Sequence, residues 1–160
     1  MSYTQSPHLT DEEIELFLKE PHVARICTFN KDGTIHAVPV WFKYEKGLFT
    51  IASPEKSRKT RNMLRNNNLT LLIDVAGPPT RGVIVYGKAE VDFTEWDSEA
   101  LSLLEKYLPK EDAKKSLNGL NKLTKWVKIS ISPTHMASFD YGKDEKYWNA
   151  VSYSAGAGQQ

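Results

Sequence analysis

Apolar residues follow two spacings along this chain, and the spacings divide it into elements. Ile14, Phe17 and Leu18 recur at helical intervals behind a Thr-x-x-Glu capping box at Thr10 and Glu13, and Pro21 closes the helix. Alternating patterns then take over. Residues 23–29 read as a strand, 30–33 (NKDG) as a turn, and 34–44 as one long second strand, together a hairpin. After a turn at 45–47, residues 48–52 form a third strand, 54–66 a basic helix and 69–75 a strand rich in Leu and Ile. Residues 82–93 continue as a strand interrupted by Gly87, which marks a bulge or a bend. Thr94 and Asp97 supply caps for a helix reaching residue 108, a lysine-rich helical stretch covers 111–120, and 126–140 is the last strand, with Pro133 at a bend or edge.

This order has about six strands and hairpin-length connections, with little strand–helix alternation. It predicts an α+β fold in which an antiparallel sheet closes on itself as a small barrel and the helices pack outside. No internal repeat appears and no linker is rich enough in Gly, Ser or Pro to mark a second domain, so residues 1–150 are read as one unit. The tail 151–160 (VSYSAGAGQQ) has too few apolar residues to fold alone and is expected to be flexible.

Composition narrows the function. At 160 residues and 40% hydrophobic, the chain builds one core. Its 21 basic and 20 acidic residues leave a net charge of +1, too weak a field for broad nucleic-acid binding. The single cysteine, Cys27, cannot form an internal disulfide and suits a reducing compartment. No apolar run approaches the roughly 20 residues that span a bilayer, and no basic-then-apolar leader opens the chain; a cytoplasmic location is expected. Cys-x-x-Cys, His-Glu-x-x-His, Gly-x-Ser-x-Gly and nucleotide-type glycine loops are missing. His8, His22, His36 and His135 are dispersed, so neither a metal centre nor a catalytic side chain is assigned.

One cluster stands out against this neutral background. Residues 57–68 read SRKTRNMLRNNN, placing positive charge at the start of a short helix. With Ser53 or Ser57 as the cap, the first backbone N–H groups face outward, and the helix dipole favours an anion there. Arg58 offers a two-pronged donor and Lys59 a point charge. Arg61 and Arg65 are expected on a solvated face, with Thr60, Met63 and Leu64 packed on the barrel. The strand IHAVPVWF adds a second feature. Pro39 has no N–H, so the strand is not a fully paired central one, and Val38 and Val40 present backbone groups that a planar heterocycle can use. Trp41 and Phe42 add aromatic surface, for packing or for a ligand.

The order of hairpin, KYEKGLFTIAS, SRKTRNMLRNNNLTLLI and RGVIVYGKAEV resembles the pyridoxamine 5'-phosphate oxidase-like flavin-binding split barrels, over roughly residues 20–93. The resemblance implies a mainly antiparallel split β-barrel with peripheral helices, assembled as a homodimer with FMN at the subunit interface. By position, His36, Ala37, Val38, Pro39, Val40 and Trp41 would line the isoalloxazine ring, Thr50 and Ile51 would touch the ring or ribityl chain, and Ser57, Arg58 and Lys59 would hold the phosphate. Gly82 falls where the oxidase has a glutamine, so Arg81 would supply that contact or it is lost. The chain also departs from the oxidases at its end, FDYGKDEKYWNAVSYSAGAGQQ: no arginine follows Arg81 to carry a substrate phosphate. The implied activity is therefore generic hydride transfer through flavin to or from a small molecule, with NAD(P)H as a candidate donor. Two alternatives share the barrel: a deazaflavin-dependent reductase using Arg61 and Arg65 as well, and a non-enzymatic flavin or haem module with His22, His36 or His135 as ligand. Trp126, Tyr141 and Trp148 are candidates for shaping the pocket from the second subunit.

Overall fold

The computed structural model describes residues 6–146 and Asn149; the tail 151–160 and Trp148 lie outside the described residues. Helix α1 (Asp11–Lys19) carries the expected capping box, with the Glu13 N–H donating to Thr10 Oγ1 at 3.2 Å and the Thr10 N–H donating to Glu13 Oε2 at 2.7 Å. Strands β1 (Ala24–Phe29), β2 (Ile35–Val40), β3 (Phe42–Glu45) and β4 (Leu48–Pro54) precede α2 (Arg58–Arg65). Then come β5 (Asn68–Val75), β6 (Arg81–Asp92), α3 (Asp97–Glu105), α4 (Lys110–Leu123) and β7 (Trp126–Asp140). All pairings are antiparallel, in the order β2-β1-β5-β6-β7-β4-β3. The fold is the expected α+β one, a curled half-barrel with helices α1–α4 among the described residues.

Seven strands appear because the stretch 34–44 is two strands. Ile35–Val40 pairs with β1 on one edge of the sheet and Phe42–Glu45 pairs with β4 on the other. Trp41 is the break between them. Adjacent residues thus lie on opposite edges, which requires the sheet to curl until its edges meet at Trp41. Ile26, Ile51, Leu71, Ile73, Val83, Val85, Ile129 and Ile131 fill the interior with Phe42 and Phe49. Gly87 sits at a register shift in the β6–β7 ladder; a Cβ there would stand 2.9 Å from the Ser132 carbonyl oxygen, so β7 itself makes the close approach. At α3 the expected cap differs: Thr94 Oγ1 donates to Asp92 Oδ1 instead, and Trp96 stands at the N-cap without a side-chain bond.

Candidate functional site

Helix α2 crosses one end of the barrel, held there by polar contacts. Ser57 is its N-cap and Ser57 Oγ accepts from the Thr60 N–H at 3.3 Å. Behind the cap lies a hydroxyl cluster: Ser53 Oγ is 3.0 Å from Ser57 Oγ and 2.7 Å from Thr60 Oγ1, and Thr60 donates to the Pro54 carbonyl. Ser53 and Thr60 are completely buried, so the last residues of β4 and the first turn of α2 form one hydrogen-bonded unit. Asn62 Nδ2 donates to Thr28 Oγ1 (3.1 Å) and Asn30 Oδ1 (3.0 Å), pinning the helix to the end of β1.

That socket changes the expected packing stripe. Asn62 is buried with Thr60 and Met63, whereas Leu64 is 57% exposed. The surface under the helix at this point is a hydroxyl and an amide, so a polar residue fits it better than Leu. Arg65 is not simply solvated either: its guanidinium donates to the Phe29 carbonyl (2.6 Å) and Asn62 Oδ1 (2.9 Å).

The first turn carries charge that no ion pair among the described residues neutralises. Arg58 and Arg61 are exposed and Lys59 half-buried, and among the described residues none of the three joins an ion pair. Burial holds the Lys59 ammonium below the ordinary lysine pKa. The backbone N–H groups of Arg58 and Lys59 have no intrahelical acceptor, as at any helix start. Arg58 also acts on the β1–β2 turn through its charge. The Asp32 carboxyl lies below its ordinary pKa chiefly through hydrogen bonds from Thr34, and Arg58 adds to the effect.

Strand β2 is an edge strand, as Pro39 requires, with Pro39 opposite Arg25 of β1. Its residues alternate. His36, Val38 and Val40 lie opposite Thr28, Ile26 and Ala24, which face the interior, while Ile35, Ala37 and Pro39 are exposed on the outer face. Trp41 is 37% exposed and stacks on Tyr107, ring centroids 4.6 Å apart and nearly parallel. His36 and the start of α2 thus share one end of the barrel, linked through Thr28, Asn62 and the β1–β2 turn. Thr50 faces outward beside Lys43 and Ser130, and Ile51 is wholly buried in the core. Ala52 and Ser53 stand closer to the helix start than either.

Arg81 and Gly82 lie elsewhere. Arg81 begins β6 and Asp92, in line with Ala52 through Lys128, ends it, about 35 Å away along the strand. The Arg81 guanidinium lies over the Phe17 ring at 5.5 Å, at the barrel end closed by α1. Gly82 is required by packing: a Cβ would stand 2.7 Å from the Ile73 carbonyl oxygen and 2.9 Å from the Phe139 ring.

A family model described as pyridoxamine 5'-phosphate oxidase matches residues 10–128. The chain belongs to that family. Its fold is similar to that of a conserved hypothetical protein of Mycobacterium tuberculosis (TM-score 0.74, 21% identity, 99% of each chain covered). It is also similar to an F420 reductase (TM-score 0.63, 22% identity, 79% of this chain and 98% of that one). A third likeness is to the haem storage protein HutZ of Vibrio cholerae (TM-score 0.61, 16% identity, 79% and 92%). At these identities the likeness is one of fold. No curated protein matches the sequence. Among the described residues, no helix is long and apolar enough to cross a membrane.

Proposed function

We propose that the protein binds FMN across a homodimer interface in the cytoplasm and serves as an oxidoreductase for a small molecule, with NAD(P)H the candidate donor. The carrying observation is the first turn of α2: a capped helix start with Arg58 and Lys59 in no ion pair among the described residues, backed by a buried hydroxyl cluster. The residues fit a phosphate ester, because Arg58 offers a fork of donors, Lys59 a point charge, and two backbone N–H groups complete the cradle. Membership of the oxidase family and likeness to an F420 reductase support a flavin-type ring above it. The exposed backbone edge of β2, interrupted at Pro39, then faces the ring, with Trp41 beside it. FMN, once bound, supplies the hydride chemistry, and this chain's residues bind, orient and exclude water.

The dimer part of the proposal rests on two features. Arg81 lies at the barrel end closed by α1, opposite the end that α2 crosses, so contacts from both to one mononucleotide would come from two copies. The outer face of the sheet also exposes Phe29, Ile35 and Tyr86, the last stacked on His135 at 5.9 Å. A visible spectrum of the purified protein with and without added FMN tests the reading: flavin bands that copurify or titrate in are expected, and a protein that takes up none contradicts it.

One observation favours a second reading, a deazaflavin cofactor. Arg61 lies one turn beyond Arg58, exposed and unpaired, and Lys56 is exposed just before the cap, so a longer acidic tail has cations to follow. Arg65, already bonded to the Phe29 carbonyl, drops out of that set. Mass spectrometry of the cofactor released by denaturation separates the two readings.

A further inference from the structure

Helix α4 has an apolar side with little to pack on. Its 14 residues bury only Ala113, while Leu117 and Leu120 line a cavity of about 450 Å³ beneath α3 and α4, at the ends of β4, β6 and β7. That volume falls within the range of about 300–1,000 Å³ typical of small-molecule sites. Two indoles form its walls. Trp96 is buried at the N-cap of α3, and Trp126 is fixed in plane because its Nε1–H donates to the Leu120 carbonyl at 3.1 Å. The aromatic surface is therefore preformed rather than collapsed onto itself.

The rim is polar and unbalanced. Glu95, Asp97 and Lys125 all border the cavity, but the Lys125 ammonium is engaged by Glu55 at 3.4 Å. Asp97 keeps only a long contact from Asn121 Nδ2 at 3.3 Å, and no ion pair engages Glu95 or Asp97 among the described residues. Two carboxylates thus face the opening without a free cation between them. The cavity is separate from the α2 site. Ala52 lines it from the face of β4 opposite the buried Ser53 hydroxyl, so the strand stands between the two.

We propose that this cavity is a second small-molecule site, selective for a planar aromatic ligand that carries a positive charge. Apolar walls and paired indoles hold the ring system, and Glu95 with Asp97 hold the charge. The proposal does not depend on the flavin reading.

Calorimetric titration of the protein as purified with 9-aminoacridine, a planar aromatic cation, tests it, with 2-naphthalenesulfonate as the planar anion. One equivalent of the cation is expected to bind, with the sulfonate much weaker. Leu120→Trp, which fills the cavity, and Glu95→Gln with Asp97→Asn, on exposed positions that leave the core untouched, should each weaken the cation by about tenfold or more. Circular dichroism checks that both variants are folded. Absence of one-to-one binding, equal affinity for the sulfonate, or undiminished affinity in the carboxamide variant overturns the proposal.

Discussion

Gly82 shows how tightly single positions are set. The atoms nearest an added Cβ include the Ile73 carbonyl oxygen at 2.7 Å, which is backbone and cannot swing aside. Gly82→Ala should therefore cost about 1–3 kcal/mol, read from urea unfolding. Lys106 is the other telling residue. Burial lowers its pKa to about 8 although its ammonium donates to the Leu18 carbonyl at 2.9 Å and lies 3.6 Å over the Phe42 ring. With the folded value below the unfolded one, the native state binds fewer protons between them, so stability should rise with pH from about 8 toward about 10. Above that, Tyr44 and Tyr107, both raised to about 12 chiefly by burial, reverse the trend, because the unfolded chain loses their protons first. Urea midpoints across this range should show the rise, and Lys106→Met should flatten it.

At the scale of elements, what the sequence makes legible is what local chemistry decides. The capping box of α1, the cap and first turn of α2, and the edge position forced by Pro39 all depend on residues within a few positions of one another, and the structure shows each of them. Three features were hidden because distant partners decide them. The break at Trp41 occurs inside a stretch that is strand-forming throughout, and only the pairing of its halves with β1 and β4 reveals it. The exchange of Leu64 for Asn62 on the packed side of α2 depends on Thr28 and Asn30, more than thirty residues away. The distance from Arg81 to the helix start depends on the length of β6. Asn62 makes the dependence testable: Asn62→Leu leaves the buried Thr28 hydroxyl without its donor, and a loss of about 1–3 kcal/mol in unfolding free energy is expected.

For the whole molecule, curling brings both sheet edges together at Trp41 and leaves Phe29, Ile35 and Tyr86 exposed on one outer face. That face is proposed as the dimer contact, and light scattering during size-exclusion chromatography should give twice the chain mass. Replacing Tyr86 and Phe29, both about 40% exposed, by Glu should shift the protein to monomer and lower cofactor affinity together. A monomeric wild type that still binds FMN tightly would remove the interface from the account. The central claim remains the phosphate role of α2. It is tested most directly by measuring FMN and riboflavin affinities of the wild type and of Arg58→Ala with Lys59→Ala. Loss of two charge-assisted contacts, at about 1.5–3 kcal/mol each, predicts FMN binding weakened by a hundredfold or more while riboflavin is nearly unaffected. Equal losses for the two ligands, or none for FMN, would contradict the account.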